Sequence, residues 1–123
     1  MRIGALKLKA QVYCGEELAM GPGKADLLEA IDREGSISAA GRALGMSYRR
    51  TWLLADEMNR CWKDRLVETT AGGGAGRGAR LTPMGREVLS AYRALERRLQ
   101  AAADGEPMGD LLGLLRNEPL AAG

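Results

Sequence analysis

Glycine and proline cut this chain into short pieces. Glycine occurs 17 times in 123 residues, at Gly15, in the Gly21-Pro22-Gly23 cluster, at Gly35 and Gly45, and five times between Gly72 and Gly78. Each break ends a helix or strand, because glycine is unfavourable inside both and favoured in turns and caps. The segments between the breaks must therefore be short, except after Thr82-Pro83. There a threonine cap and a proline at the first helical position open a longer helix.

The hydrophobic periodicity of each segment sets its type. Leu6, Leu8, Ala10 and Val12 alternate with Lys7, Lys9, Gln11 and Tyr13. That period of two predicts one half-buried strand. Leu27, Leu28 and Ile31 predict an amphipathic helix over Lys24–Glu34, stopped by Gly35. A second helix is expected over Ser38–Leu44 with Ser38 as its cap, then a turn at Gly45-Met46. Ser47 caps a third helix reaching Lys63. Thr51, Ala55, Met58 and Trp62, with Leu54, form its inner stripe, and Arg49, Leu53, Asp56 and Arg60 lie opposite. Leu66–Thr70 and Arg80-Leu81 read as two strands of a hairpin around the glycine run. In the last helix Val88, Tyr92, Leu95, Leu99 and Ala102 recur at 4-3-4-3 spacing, the seam of a helix that pairs with another. Residues 104–123 read as an acidic, loosely ordered tail with an apolar Leu111–Leu115 patch and one docking turn of helix.

This order of elements predicts a mainly α protein with a small antiparallel sheet. Specifically, it predicts a winged helix-turn-helix over residues 1–103, with an extra N-terminal strand and a long C-terminal dimerisation helix. The 46% hydrophobic and 28% charged content suits a single folded domain. The chain has no histidine, which removes imidazole catalysis, Ser–His and Cys–His pairs and most zinc sites. No enzyme activity and no cofactor is expected. Cys14 and Cys61 lack metal or redox spacing and read as free thiols in a reducing compartment. No signal peptide or membrane-spanning run is visible, so a cytoplasmic protein away from membranes is expected.

The net charge of +2 hides an uneven distribution. Residues 36–82 carry eight basic and four acidic side chains, and the tail carries one and four. A basic middle suits an anionic partner. Ser36 to Arg50 supplies what a helix-turn-helix requires. Ala40 and Gly41 are small where two helices cross, Gly45 turns, and Leu44 and Met46 are apolar on either side. Arg49 and Arg50 begin the second helix, where base edges are read. They are the candidates for bidentate contact with guanine, with Ser38 and Arg42 as candidate phosphate contacts. Trp62 reads as core, and Trp52 as a brace against the first strand or the hairpin. Gly74 to Ala79 matches a dinucleotide-binding string, but no helix opens within it, so a hairpin tip is the better reading.

These residues resemble a known family. Gly35-Ser36-Ile37-Ser38, the run from Ser47 to Leu54, Asp56-Glu57-Met58-Asn59, Leu66-Val67-Glu68, the stretch from Gly72 to Pro83 and Gly85-Arg86 are similar to the amino-terminal DNA-binding domain of the ModE family of molybdate-responsive regulators. A weaker likeness to LysR-type domains is carried by the helix-turn-helix and by Leu81-Thr82-Pro83-Met84-Gly85-Arg86. The ModE resemblance implies a homodimer on double-stranded DNA, acting on genes of molybdate uptake or molybdenum metabolism. It matches Ser47, Tyr48, Arg49 and Arg50 to the start of the recognition helix, and Arg77 and Arg80 to the wing. It assigns the dimer to the last helix, with Val88, Tyr92, Leu95 and Leu99. The family's usual molybdate-binding region has no counterpart in these residues, so molybdate is not expected to bind this chain. The competing reading is a winged-helix module that dimerises and binds a partner protein instead of DNA.

Overall fold

The computed structural model describes residues 2–70 and 78–123. Within them the protein is mainly helical, with three two-stranded antiparallel hairpins. In chain order the elements are β1 (Arg2–Ile3), β2 (Leu6–Lys7), β3 (Val12–Cys14), β4 (Glu17–Met20), α1 (Pro22–Glu34), α2 (Ile37–Ala43) and α3 (Tyr48–Cys61). There follow β5 (Val67–Thr70), β6 (Gly78–Leu81), α4 (Pro83–Ala103) and α5 (Glu106–Gly113). No described helix is long and apolar enough to cross a membrane.

The single N-terminal strand expected over residues 6–13 is two separate hairpins. Burial alternates as predicted: Leu6, Leu8, Ala10 and Val12 are half-buried and their neighbours exposed. Backbone pairing follows the turns instead. Gly4 (φ 59°) and Gly15 (φ 61°) each sit between short strands, pairing β1 with β2 and β3 with β4. A two-residue turn with glycine at positive φ favours such local pairing. Residues 8–11 run outside any ladder, and Glu17–Met20 forms a strand where only a break was foreseen.

Helix α1 begins at Pro22, two residues before its expected start, with Gly21 as its cap. Gly35 ends it as predicted, at φ 77°, with its N–H donating to the Ile31 carbonyl at 2.9 Å. Ala25, Leu27, Leu28, Ala30 and Ile31 bury one face at the centre of the core. Lys24 is buried too. Its ammonium pairs with Glu57 at 2.9 Å and donates to the Leu18 carbonyl, tying α1 to α3 and β4.

The cap of α2 is Ser36, not Ser38: its Oγ accepts the Ala39 N–H at 3.0 Å. Ile37 is buried in the core, and a helix that uses it must begin there, one residue ahead of Ser38. Met46 N–H returns to the Gly41 carbonyl at 2.8 Å, with Gly45 between them at φ 70°. Ser47 caps α3 by accepting the Arg50 N–H at 3.1 Å. Thr51, Leu54, Ala55 and Met58 are buried as expected. Trp62 is only half-buried, because α3 ends at Cys61 and the indole lies at the core's edge. There its N–H donates to the Ala19 carbonyl at 3.1 Å.

β5 pairs with β6 from Val67↔Leu81 to Thr70↔Gly78. Asn59 of α3 anchors this hairpin, accepting the Leu66 and Val67 N–H groups at 2.9 and 3.0 Å and donating to the Val67 carbonyl at 3.0 Å. Leu66 and Val67 are fully buried, so Asn59→Ala leaves backbone groups unpaired away from water. A loss of about 2–4 kcal/mol is expected in chemical denaturation; a midpoint equal to that of the wild type would refute this anchoring role.

Thr82 caps α4 as predicted, accepting the Gly85 N–H at 3.0 Å while its hydroxyl donates to the Arg65 carbonyl. Residues 106–113 of the tail form α5; its Leu111 is exposed, as are Leu114 and Leu115 just after it.

Candidate functional site

Helices α2 and α3 are joined by residues 44–47 and cross closely. A Cβ at Gly41 would overlap the Thr51 hydroxyl and reach its Cβ and Cγ2 at 2.9 Å. Two helices locked at this distance hold the residues around their turn in a defined relation. Arg42 lies in the last turn of α2, and Arg49 and Arg50 in the first turn of α3; all three are exposed. The first turn of a helix also leaves backbone N–H groups free, a favourable setting for an anion.

Among the described residues some arginines are held by carboxylates and others are not, the unpaired ones including Arg2, Arg65, Arg97, Arg98 and Arg116 as well as those at this turn. Arg33, Arg60, Arg80, Arg86 and Arg93 are each engaged by a carboxylate. Arg42, Arg49 and Arg50 pair with no carboxylate among the described residues. The reason is written in the chain: no Asp or Glu occurs between Glu34 and Asp56. This acid-free window is a stronger signal than the regional charge balance.

Ser47 is exposed, with its oxygen accepting the helix cap bond. Tyr48 is 68% exposed and leans on Trp52, ring centres 6.0 Å apart and planes at 56°. Ser38, Tyr48 and Trp52 share a cleft of about 290 Å³ with Thr69 and Ala79 of the β5–β6 hairpin. Trp52 thus faces the hairpin, one of its two expected braces. Its ring N–H is buried with no partner among the described residues. Arg80 is exposed and forms a cross-strand pair with Glu68 at 2.6 Å. Arg77, expected in the wing, lies outside the described residues.

The apolar stripe of α4 divides in two. Val88 and Tyr92 were expected to be part of an open seam, but both are buried in the chain's own core, at 7% and 4% exposure. The N-terminal segment crosses α4 at this level, and the Tyr92 hydroxyl donates to the Ala10 carbonyl at 2.7 Å. Burial, with the nearby Glu96 charge, pushes the Tyr92 phenol up to about 12, so it stays a neutral donor. Leu95 and Leu99 remain open, at 44% and 38% exposure. On the α1 side Arg93 collects Asp26, Glu29 and Glu96. Burial opposes its charge, yet those three carboxylates raise its pKa above the ordinary arginine value. Nothing in the sequence spacing announced that network.

No group of three metal-ligating side chains is found among the described residues. No family model matches the chain. Individual relatives do. Over 78 residues, 63% of this chain and 29% of the relative, it is 46% identical to the molybdenum transport protein ModE of Azotobacter vinelandii. Over 77 residues it is 46% identical to the molybdenum-pterin-binding protein MopB of Rhodobacter capsulatus, covering 63% of this chain and 28% of that protein. The DNA-binding transcriptional dual regulator ModE of Escherichia coli K12 is 37% identical over 117 residues, 95% of this chain and 42% of the relative. The chain therefore spans less than half the length of the curated relatives it matches. Across the matched residues, the chain is similar to transport proteins and transcriptional regulators named ModE.

Proposed function

We propose that this chain is a winged helix-turn-helix domain of a ModE-type transcription regulator, binding double-stranded DNA as a homodimer. Helix α3 enters the major groove, and the β5–β6 hairpin is the wing along the backbone. The genes it acts on belong to molybdate uptake or molybdenum metabolism, an assignment that rests on the names of the relatives. The observation that carries DNA binding is the trio Arg42, Arg49 and Arg50, exposed around one turn with no carboxylate beside them among the described residues. Arginine left without an internal partner is available for guanine or phosphate.

In this reading Arg49 and Arg50 read bases, while Ser38, Arg42, Ser47 and Tyr48 meet phosphates and fix the register. Arg80 and Arg77 serve the wing. Arg80 must exchange Glu68 for a phosphate, and an exposed pair of that kind contributes only about 0–1 kcal/mol, so the exchange is easy. Selection of bound duplexes from a random pool, followed by titration of the enriched site, tests the proposal. Failure to enrich any sequence would favour the protein-binding alternative.

The dimer is assigned to the open half of the α4 stripe. Leu95 borders an apolar cavity of about 350 Å³ that also reaches Val12 and Met84. Because Leu95 and Leu99 are exposed within one chain, Leu95→Asp with Leu99→Asp should leave the helical circular dichroism intact while light scattering reports a monomer. A wild-type chain that is already monomeric at micromolar concentration would remove the dimer.

A further inference from the structure

The two cysteines lie 47 positions apart in sequence, yet the fold brings them to one corner. Cys14 ends β3 and stands directly across the ladder from Glu17, the first residue of β4. Cys61 is the last residue of α3, and its thiol donates to Oε2 of the same Glu17 at 3.6 Å. Arg60 holds that carboxylate from the other side, at 3.1 and 3.3 Å. Glu17 is thus a neighbour shared by both cysteines. Cys14 is exposed and Cys61 half-buried. Burial first, then the neighbouring Cys14 thiol, then Glu17 raise the Cys61 pKa, an effect Cys14 exerts only at short range.

We propose that Cys14 and Cys61 form a reversible dithiol–disulfide couple that fastens the β3–β4 hairpin to the C-terminal end of α3. The oxidant is a small-molecule disulfide. Cys14, the accessible sulfur, attacks it as the thiolate. The reagent's S–S bond breaks, one thiol leaves, and a mixed disulfide remains on Cys14. Cys61 then attacks the Cys14 sulfur, displacing the second thiolate, which takes up the proton that Cys61 has lost. Two protein thiols are oxidised by two electrons, and one disulfide is reduced to two thiols. The bond closes a loop that contains α1, α2 and α3, on the end of α3 opposite Arg49 and Arg50. The inference is independent of the DNA-binding reading.

The test uses the full chain and oxidised glutathione. The wild type should lose both titratable thiols without any covalent link between chains and become lighter by two hydrogens per chain, with a Cys14–Cys61 peptide on mapping, and dithiothreitol should reverse all of this. The oxidised form should melt roughly 5–10 °C higher, since the cross-link restricts the unfolded chain. Cys61→Ser should stop at a glutathione adduct on Cys14, and Cys14→Ser should keep its half-buried thiol. A wild type that accumulates stable glutathione adducts, or that links to a second chain instead, would overturn the proposal.

Discussion

Arg49→Ala or Arg50→Ala lowers affinity for the selected DNA site by about 1–3 kcal/mol, roughly 5- to 150-fold, and broadens the sequences accepted. Both guanidiniums start exposed and without a carboxylate partner among the described residues, so little internal binding has to be broken before they reach a base edge. Arg80→Ala should cost less and weaken all sequences alike, because a wing contact is to phosphate and competes with Glu68. Binding as a whole should be strongly salt-sensitive. A dimer that neutralises about six to ten phosphates loses roughly 10³–10⁵ in affinity between about 50 and 200 mM salt. Fluorescence anisotropy with the selected duplex and a scrambled control measures both effects. Affinities unchanged in all three variants, with a flat salt dependence, would transfer the surface to a protein partner.

Gly85→Ala should be the most damaging small substitution in the described fold. Gly85 lies in the first turn of α4 and is buried. An added Cβ would overlap the Leu66 carbonyl oxygen and meet its carbonyl carbon at 3.0 Å. That oxygen already accepts the Thr82 N–H at 2.9 Å, and the adjoining N–H groups are held by Asn59. Backbone pinned from several sides cannot move aside as a side chain would. A loss of about 3 kcal/mol or more is expected, at the upper end for overpacking, and a melting temperature lower by roughly 10 °C or more. Gly23→Ala is the control. It lies in α1 with open space around its Cβ position, and alanine there should be neutral or slightly stabilising. Equal melting temperatures for the two variants would show that the contact between α4 and Leu66 is not tight.

What was legible in advance were the features whose energies are local. Ser47 and Thr82-Pro83 cap their helices, and Gly35 terminates α1, because a cap bond or a positive φ involves residues within about four positions of one another. The period-two burial of Leu6 to Val12 survives even without a continuous strand, because alternation depends only on an extended backbone crossing an apolar surface. Gly41 was recognised as a crossing point from its smallness alone. Arg49 was placed opposite the inner stripe, with Arg50 beside it, by counting from Thr51, whose burial follows from the helical period.

Tertiary structure decided which distant segments meet. Ser38 lost the cap of α2 to Ser36 once Ile37 was drawn into the core. One strand became two hairpins because Gly4 and Gly15 close local turns. The 4-3-4-3 stripe of α4 is continuous in sequence, yet the N-terminal segment covers Val88 and Tyr92 and leaves Leu95 and Leu99 open. Periodicity reports that a face is apolar; it does not report what lies on it. Arg80 and Glu68 became partners through the β5–β6 register, and Cys14 and Cys61 became neighbours through the packing of β4 on α3. The chain's own residues determine its turns, caps and faces, whose energies are settled between near neighbours. The partner of each face is chosen by the path of the whole chain, where burial of one segment excludes another.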